Sequence, residues 1–154
     1  IVQETDYDPR EVEALATVSY RPGDIGAAIA SGSYDTAGMI VAPCSIKSLS
    51  AIANSMGDDL ITRAADVQMK EGRPVLLMVR ETPLHLGHLE QMVRAARIGY
   101  IIFPPVPAFY GCPKTLDDLI DGTVGRVLAR IGFDNDLYTR WLGMREASKH
   151  IFNS

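Results

Sequence analysis

The sequence predicts a single α/β domain, a doubly wound parallel sheet with helices between its strands. Three short apolar runs carry that prediction: Gly38–Ala42, Val75–Val79 and Tyr100–Phe103. Each is apolar on both faces, as a strand buried within a parallel sheet must be. Helical patterns separate the runs, and strands alternating with helices mark this class of fold.

Taken in order, Cys44–Asn54 and Asp58–Lys70 read as helices between the first and second strands. Between the second and third, residues Thr82–Arg97 carry Leu84, Leu86, Leu89, Met92, Val93 and Ala96 at roughly helical spacing. A proline-rich turn follows, PPVPAFYGCP. Thr115 then caps a helix reaching Ile131, with Leu116, Leu119, Ile120, Val124, Val127, Leu128 and Ile131 on one face. Residues 1–154 are expected to form one domain, with 142–154 as a C-terminal tail. Three strands make a thin sheet for this much helix. A further β-α-β opening of about 30 residues or more is expected ahead of Ile1. In such folds the first strand-to-helix turn commonly binds a phosphate through backbone N–H groups, and no glycine-rich turn stands near the start of this sequence.

Composition narrows the function classes. The 154 residues suffice for one domain with a core, and 15 basic against 19 acidic residues give a formal charge of −4. No basic run offers a nucleic-acid footprint. No apolar run approaches a membrane span, and the opening residues lack a signal-peptide pattern. Two cysteines, Cys44 and Cys112, make no disulfide framework, so a cytoplasmic location is expected.

Several residues could carry chemistry. Ser31-Gly32-Ser33 precedes the first strand and Ala42-Pro43-Cys44-Ser45 follows it. Small and hydroxylated residues there admit a planar ligand or bind phosphate, and they equally suit a turn and a helix cap. Cys44 reads as a small buried residue, with no nearby histidine to activate it. Arg63 and Lys70 share a helix face two turns apart. Arg80 and Glu81 end the second strand, where open α/β sheets place ligands. Tyr110 lies in the turn after the third strand, and Arg126 on the last helix. Each of these polar residues alone suits a solvated surface; together they suggest an anion pocket, on which Arg80, Lys70 and Tyr110 are expected to converge. His85 and His88 stand in an H-x-x-H pattern without a third ligand, so no metal site is expected. Asp117 and Asp118 suit the dipole of the last helix.

The segments ETD (4–6), SGS (31–33), APCSIKSLSAIA (42–53), LITRAADVQMKE (60–71), VRETPLHLGHLEQM (79–92), PPVPAFY (104–110), TLDDLIDGTVGRVL (115–128) and DLYTRW (136–141) closely resemble flavin prenyltransferases of the UbiX-like type, also described as B subunits of aromatic acid decarboxylases. The resemblance implies a Rossmann-like, flavodoxin-like domain in trimer-based dodecamers, with active sites between subunits. It implies transfer of a dimethylallyl group from dimethylallyl monophosphate to reduced FMN, at N5 and then C6, without a metal; the sequence leaves the diphosphate open as donor. The product would serve a UbiD-like decarboxylase as cofactor.

By the same resemblance, Lys70, Arg80, Tyr110 and Arg126 would bind the substrate phosphate. Glu81 would handle protons beside the departing phosphate, and Glu4 would lie near flavin N5. Ser45 and Arg63 match flavin-contacting positions, while Ser31, Gly32 and Trp141 would line the prenyl side. The family's opening strand, its glycine-rich turn and the first helix have no counterpart in the 154 residues. Two other readings remain open at this point: an FMN-dependent decarboxylase of the flavin-containing cysteine decarboxylase group, and a non-catalytic accessory subunit.

Overall fold

A computed structural model describes residues 3–140. Its centre is a three-stranded parallel sheet of order β1-β2-β3, with β1 Met39–Cys44, β2 Val75–Val79 and β3 Ile101–Ile102. Five α-helices accompany it: α1 Pro9–Glu13, α2 Ile46–Ala53, α3 Leu60–Lys70, α4 Leu86–Ile98 and α5 Leu116–Arg130. A short 3₁₀ turn covers Ala28–Ala30.

β2 lies between the other two strands, and its apolar run occupies the predicted residues. Val75, Leu76, Leu77 and Val79 are all buried. β1 begins one residue later than expected and runs on to Cys44. Its register against β2 shifts between Val41 and Cys44, which lets Pro43 sit exposed at a position where a proline removes a ladder donor. β3 is shorter than the predicted Tyr100–Phe103. Phe103 still donates to the Leu77 carbonyl at 2.9 Å, but Pro104 and Pro105 carry no N–H to continue the ladder. Tyr100 is buried in the core instead.

Each helix starts at a residue able to satisfy the free N–H groups of its first turn. Ser45 accepts from Ser48 N, Asp59 from Thr62 N, His85 from Gly87 N and Thr115 from Asp118 N. Thr62 and Asp118 reciprocate, closing capping boxes. α4 starts at Leu86 rather than Thr82, because Pro83 intervenes and His85 supplies the cap. It stops at Gly99, whose φ of 120° a residue with a Cβ adopts only under strain. α1 was not anticipated. Asp8 caps it, Pro9 opens it and Glu11 closes a capping box.

The main core cluster lies between the sheet and helices α2, α3 and α4. Val41, Cys44, Val75, Leu77 and Val79 of the sheet pack with Leu49, Ile52 and Ala53 of α2, Ala65 of α3 and Ala95 of α4. The α4 stripe read as core-facing divides. Met92 packs against the core, while Leu86 is 69% exposed and Leu89 and Val93 are also exposed. α5 behaves likewise, with Val127 buried and Leu116, Ile120 and Val124 exposed, Leu116 at 70%. No helix of the described residues is long and apolar enough to cross a membrane. Trp141 and the expected tail at 142–154 lie outside the described residues.

Candidate functional site

In an open parallel sheet, ligands bind beyond the carboxyl ends of the strands, where chain reversals leave space. Here the strand ends carry charge. Arg80 follows β2 directly, and its backbone N–H donates to the Cys44 carbonyl at 3.3 Å, which ties the end of β2 to the end of β1. Its guanidinium reaches the Glu4 carboxylate, with Nη2 to Oε1 at 3.4 Å and Nη1 at 3.5 Å. Both side chains are exposed, so the pair contributes about 0–1 kcal/mol and is free to rearrange around an anion. Glu81 is next along the chain and accepts from the Thr82 N–H at 3.1 Å.

These residues border a cleft of about 530 Å³ lined by Val79, Arg80, Glu81, Thr82 and the turn Pro104–Val106. A second cleft of about 440 Å³ shares Val106 with it and lies between the turn after β3 and α5. Tyr110 and Arg126 face this second cleft, joined by a hydrogen bond from Arg126 Nη1 to the Tyr110 oxygen at 3.1 Å. Asp118 borders it too. The N–H groups of Lys114 and Thr115, with the Thr115 hydroxyl, hold the Asp118 carboxyl below its ordinary range.

Ser45 lies just beyond β1, exposed, bonding Ser48 through both its cap and its hydroxyl, at 3.1 Å to each. Cys44 beside it is fully buried, and burial pushes its thiol up to about 11, which agrees with a packing role. Arg63 is exposed in the first turn of α3. His85 and His88 stack with ring centres 3.6 Å apart while His85 caps α4.

Within one copy of the chain, Lys70 does not converge with Arg80 and Tyr110. α3 returns the chain to the amino ends of the strands, and β2 begins five residues after Lys70. Met69 accordingly packs beside Gly99, just ahead of β3. Lys70 and Arg80 are therefore separated by about the length of a five-residue strand, roughly 17 Å. Lys70 pairs with Glu71 at 3.5 Å, and beside Glu71 lies Gly32. Ser31 and Ser33 share a hydrogen bond at 2.9 Å in the same segment. Among the described residues the predicted ones thus form two groups: at the carboxyl side Glu4, Ser45, Arg80 and Glu81, with Arg63 at the start of α3 and Tyr110 and Arg126 on the adjoining second cleft, and at the amino side Ser31, Gly32 and Lys70.

Sequence reasoning missed the cleft-lining Thr82, Lys114 and Asp118, and also Arg73, whose side chain reaches the Ser31–Gly32 segment. Thr82 follows Glu81 directly and carried a legible signal; Arg73 carried none.

A parallel α/β sheet with a charged cleft beyond its strand ends is the form of a nucleotide- or flavin-binding protein. The Flavoprotein family model matches residues 19–128. Flavin prenyltransferase UbiX of Salmonella typhimurium is 58% identical over 142 residues, covering 91% of this chain and 75% of that protein. The structure of AnUbiX (PadA1) in complex with FMN and dimethylallyl pyrophosphate matches with a TM-score of 0.88 and 48% identity, over 91% of this chain and 74% of that one. A dodecameric FMN-dependent UbiX-like decarboxylase from Escherichia coli O157:H7 also gives 0.88, at 47% identity, over 92% of this chain and 77% of that one. The chain belongs to the UbiX-type flavin prenyltransferases.

The carboxyl-side cleft suits FMN. Its volume lies within the roughly 300–1,000 Å³ of ligand pockets, and Val79, Pro104, Pro105 and Val106 give apolar walls for a ring system. Arg80 and the Thr82 hydroxyl supply polar groups at its edge.

Proposed function

We propose that this protein carries out its family's reaction on reduced FMN with dimethylallyl monophosphate as donor, and that the two residue groups above meet across subunits. The observation that carries the reading is the placement of Arg80 directly after β2, its guanidinium paired with the Glu4 carboxylate, on a cleft that also presents Glu81, Thr82 and the apolar Val79, Pro104, Pro105 and Val106. Bound reduced FMN supplies nucleophilic N5 and C6 positions, and the electron pair of the breaking C–O bond leaves with phosphate.

The side chains of the chain do the rest. Arg80, Tyr110 and Arg126 donate to phosphate oxygens, and their contacts strengthen as negative charge gathers there. Glu81 transfers the proton at the leaving phosphate, and Glu4 handles protons near N5. Ser45 and Arg63 contact the flavin. Ser31 and Gly32 border the dimethylallyl chain, and Trp141, outside the described residues, is assigned to the same wall.

Lys70 completes the phosphate site from a neighbouring copy. Its distance from Arg80 within one chain supports a shared site, as do the exposed apolar stripes Leu86–Leu89–Val93 and Leu116–Ile120–Val124, which suit subunit contacts. A trimer-based dodecamer accommodates both. The free cysteines, one of them exposed, suit a reducing cytoplasm. The prenylated flavin then passes to a UbiD-like decarboxylase. Phosphate release tests the reading: it is expected only when dimethylallyl monophosphate and reduced FMN are both present. Release of the same size with oxidised FMN contradicts it.

A further inference from the structure

We propose that Arg73 is a positioning residue, which clamps the Ser31–Thr36 segment onto the end of α3 and so sets Ser31 and Gly32 relative to Lys70. The proposal rests on the prenyl- and phosphate-side roles given above to those three residues. Arg73 lies just past α3, and only 19% of its side chain is exposed. Its guanidinium spans the segment: Nη2 donates to the Gly32 carbonyl at 3.0 Å and Nη1 to the Tyr34 carbonyl at 2.9 Å. Nη1 also lies 3.5 Å from Thr36 Oγ1. The Asp35 carboxylate, 3.9 Å away and fully exposed, adds little.

A guanidinium holds several donors in one rigid plane, so two carbonyls two residues apart are fixed together. An ammonium is a point charge on a flexible stem and does not reproduce that fork. The segment has a second tie, where Thr36 Oγ1 donates to Oε1 of the buried Gln68 at 2.6 Å. That bond anchors one end of the segment and leaves the Gly32 end to Arg73.

The Gly32 end is where registration matters. A Cβ built on Gly32 would overlap Glu71 Oε1, the same oxygen that pairs with Lys70 Nζ at 3.5 Å. The carboxylate therefore fills the space left by the missing side chain while holding the lysine. The Gly32 end of the segment thus abuts the carboxylate that pairs with Lys70, and Arg73 is the segment's fastening there. A shift of about 1 Å at that point is enough to cost a large factor in rate or binding.

The test compares wild type with Arg73→Lys and Gly32→Ala in the assembled protein, by amide hydrogen exchange and by steady-state prenylation. In Arg73→Lys, amides of residues 31–36 are expected to exchange faster while those of α3 keep wild-type protection. KM for dimethylallyl monophosphate should rise roughly tenfold, with FMN affinity unchanged. Gly32→Ala should raise KM similarly, by displacing Glu71 from Lys70, while its Arg73 clamp stays in place. Wild-type exchange and wild-type KM in Arg73→Lys would overturn the proposal. So would a variant whose melting temperature, FMN affinity and KM all worsen together, the pattern of a general structural loss. A wild-type protein that prenylates nothing would refute the proposed function, and the exchange comparison would still decide the clamp.

Discussion

Arg126 Nη1 donates to the Tyr110 phenolic oxygen at 3.1 Å, across a cleft between the turn after β3 and α5. A phenol that accepts from a cation has its own O–H polarised and left free to donate. The pair thus presents two donors to one anion. Tyr110→Phe removes one of them without unfolding an exposed site. Losing a hydrogen bond to a charged group costs about 1.5–3 kcal/mol, so KM for dimethylallyl monophosphate should rise tenfold or more. An unchanged KM, measured at saturating reduced FMN, would remove Tyr110 from the phosphate site.

In the proposed reaction Glu81 acts in the transition state, where proton transfer is worth roughly 10²–10⁴-fold. Glu81→Gln keeps the shape and the acceptor oxygen for Thr82 N–H. It is expected to bind FMN as wild type does, read by flavin fluorescence, and to lose kcat by about that factor. A variant with normal kcat contradicts the assignment.

Cys44 and Cys112 should differ in reactivity. Cys44 is fully buried with its thiol raised to about 11, whereas Cys112 is exposed. Iodoacetamide is expected to leave Cys44 unlabelled in the native protein and to label it after denaturation. The raised value also sets a sign. The neutral thiol is favoured by folding, so this contribution is whole below the unfolded value of 9.0 and is lost as pH rises toward 11. Native labelling of Cys44 as fast as in the denatured chain would contradict its burial.

Thr115 and Asp118 cap α5 reciprocally. Thr115→Ala is expected to cost about 1 kcal/mol, a fall of about 2–4 °C in melting temperature. The Asp118 carboxyl is lowered by backbone N–H bonds, so its stabilisation is present above its unfolded pKa and lost as pH falls through the folded one. Asp118→Asn should flatten that acid limb in a pH series of melting curves.

The sequence made β2 legible because a central strand is apolar throughout, and the polar caps Ser45 and Thr115 showed where α2 and α5 begin. α1 was overlooked although Asp8, Pro9 and Glu11 spell its capping box, because a five-residue helix without buried residues has no apolar period. The stripe Leu86–Leu89–Val93 was legible as helical but not as outward-facing. Periodicity reports a face and says nothing of what covers it. Arg80 and Glu81 stand directly after β2, and Tyr110 in the turn after β3, as their order in the sequence predicts. The convergence with Lys70 expected from their order and from the resemblance fails within one chain, because a helix returning between parallel strands carries its last residue to their amino ends. Arg73 stands in an ordinary turn, and its two carbonyl partners are some forty residues away.

The central claim is prenyl transfer to the flavin, and mass spectrometry of the flavin tests it most directly. The assembled protein is incubated anaerobically with reduced FMN and dimethylallyl monophosphate, and the flavin is extracted. It is expected to gain the mass of one isoprene unit, with one phosphate released per flavin altered. Recovery of unmodified FMN alone, from protein that binds reduced FMN, would contradict the account.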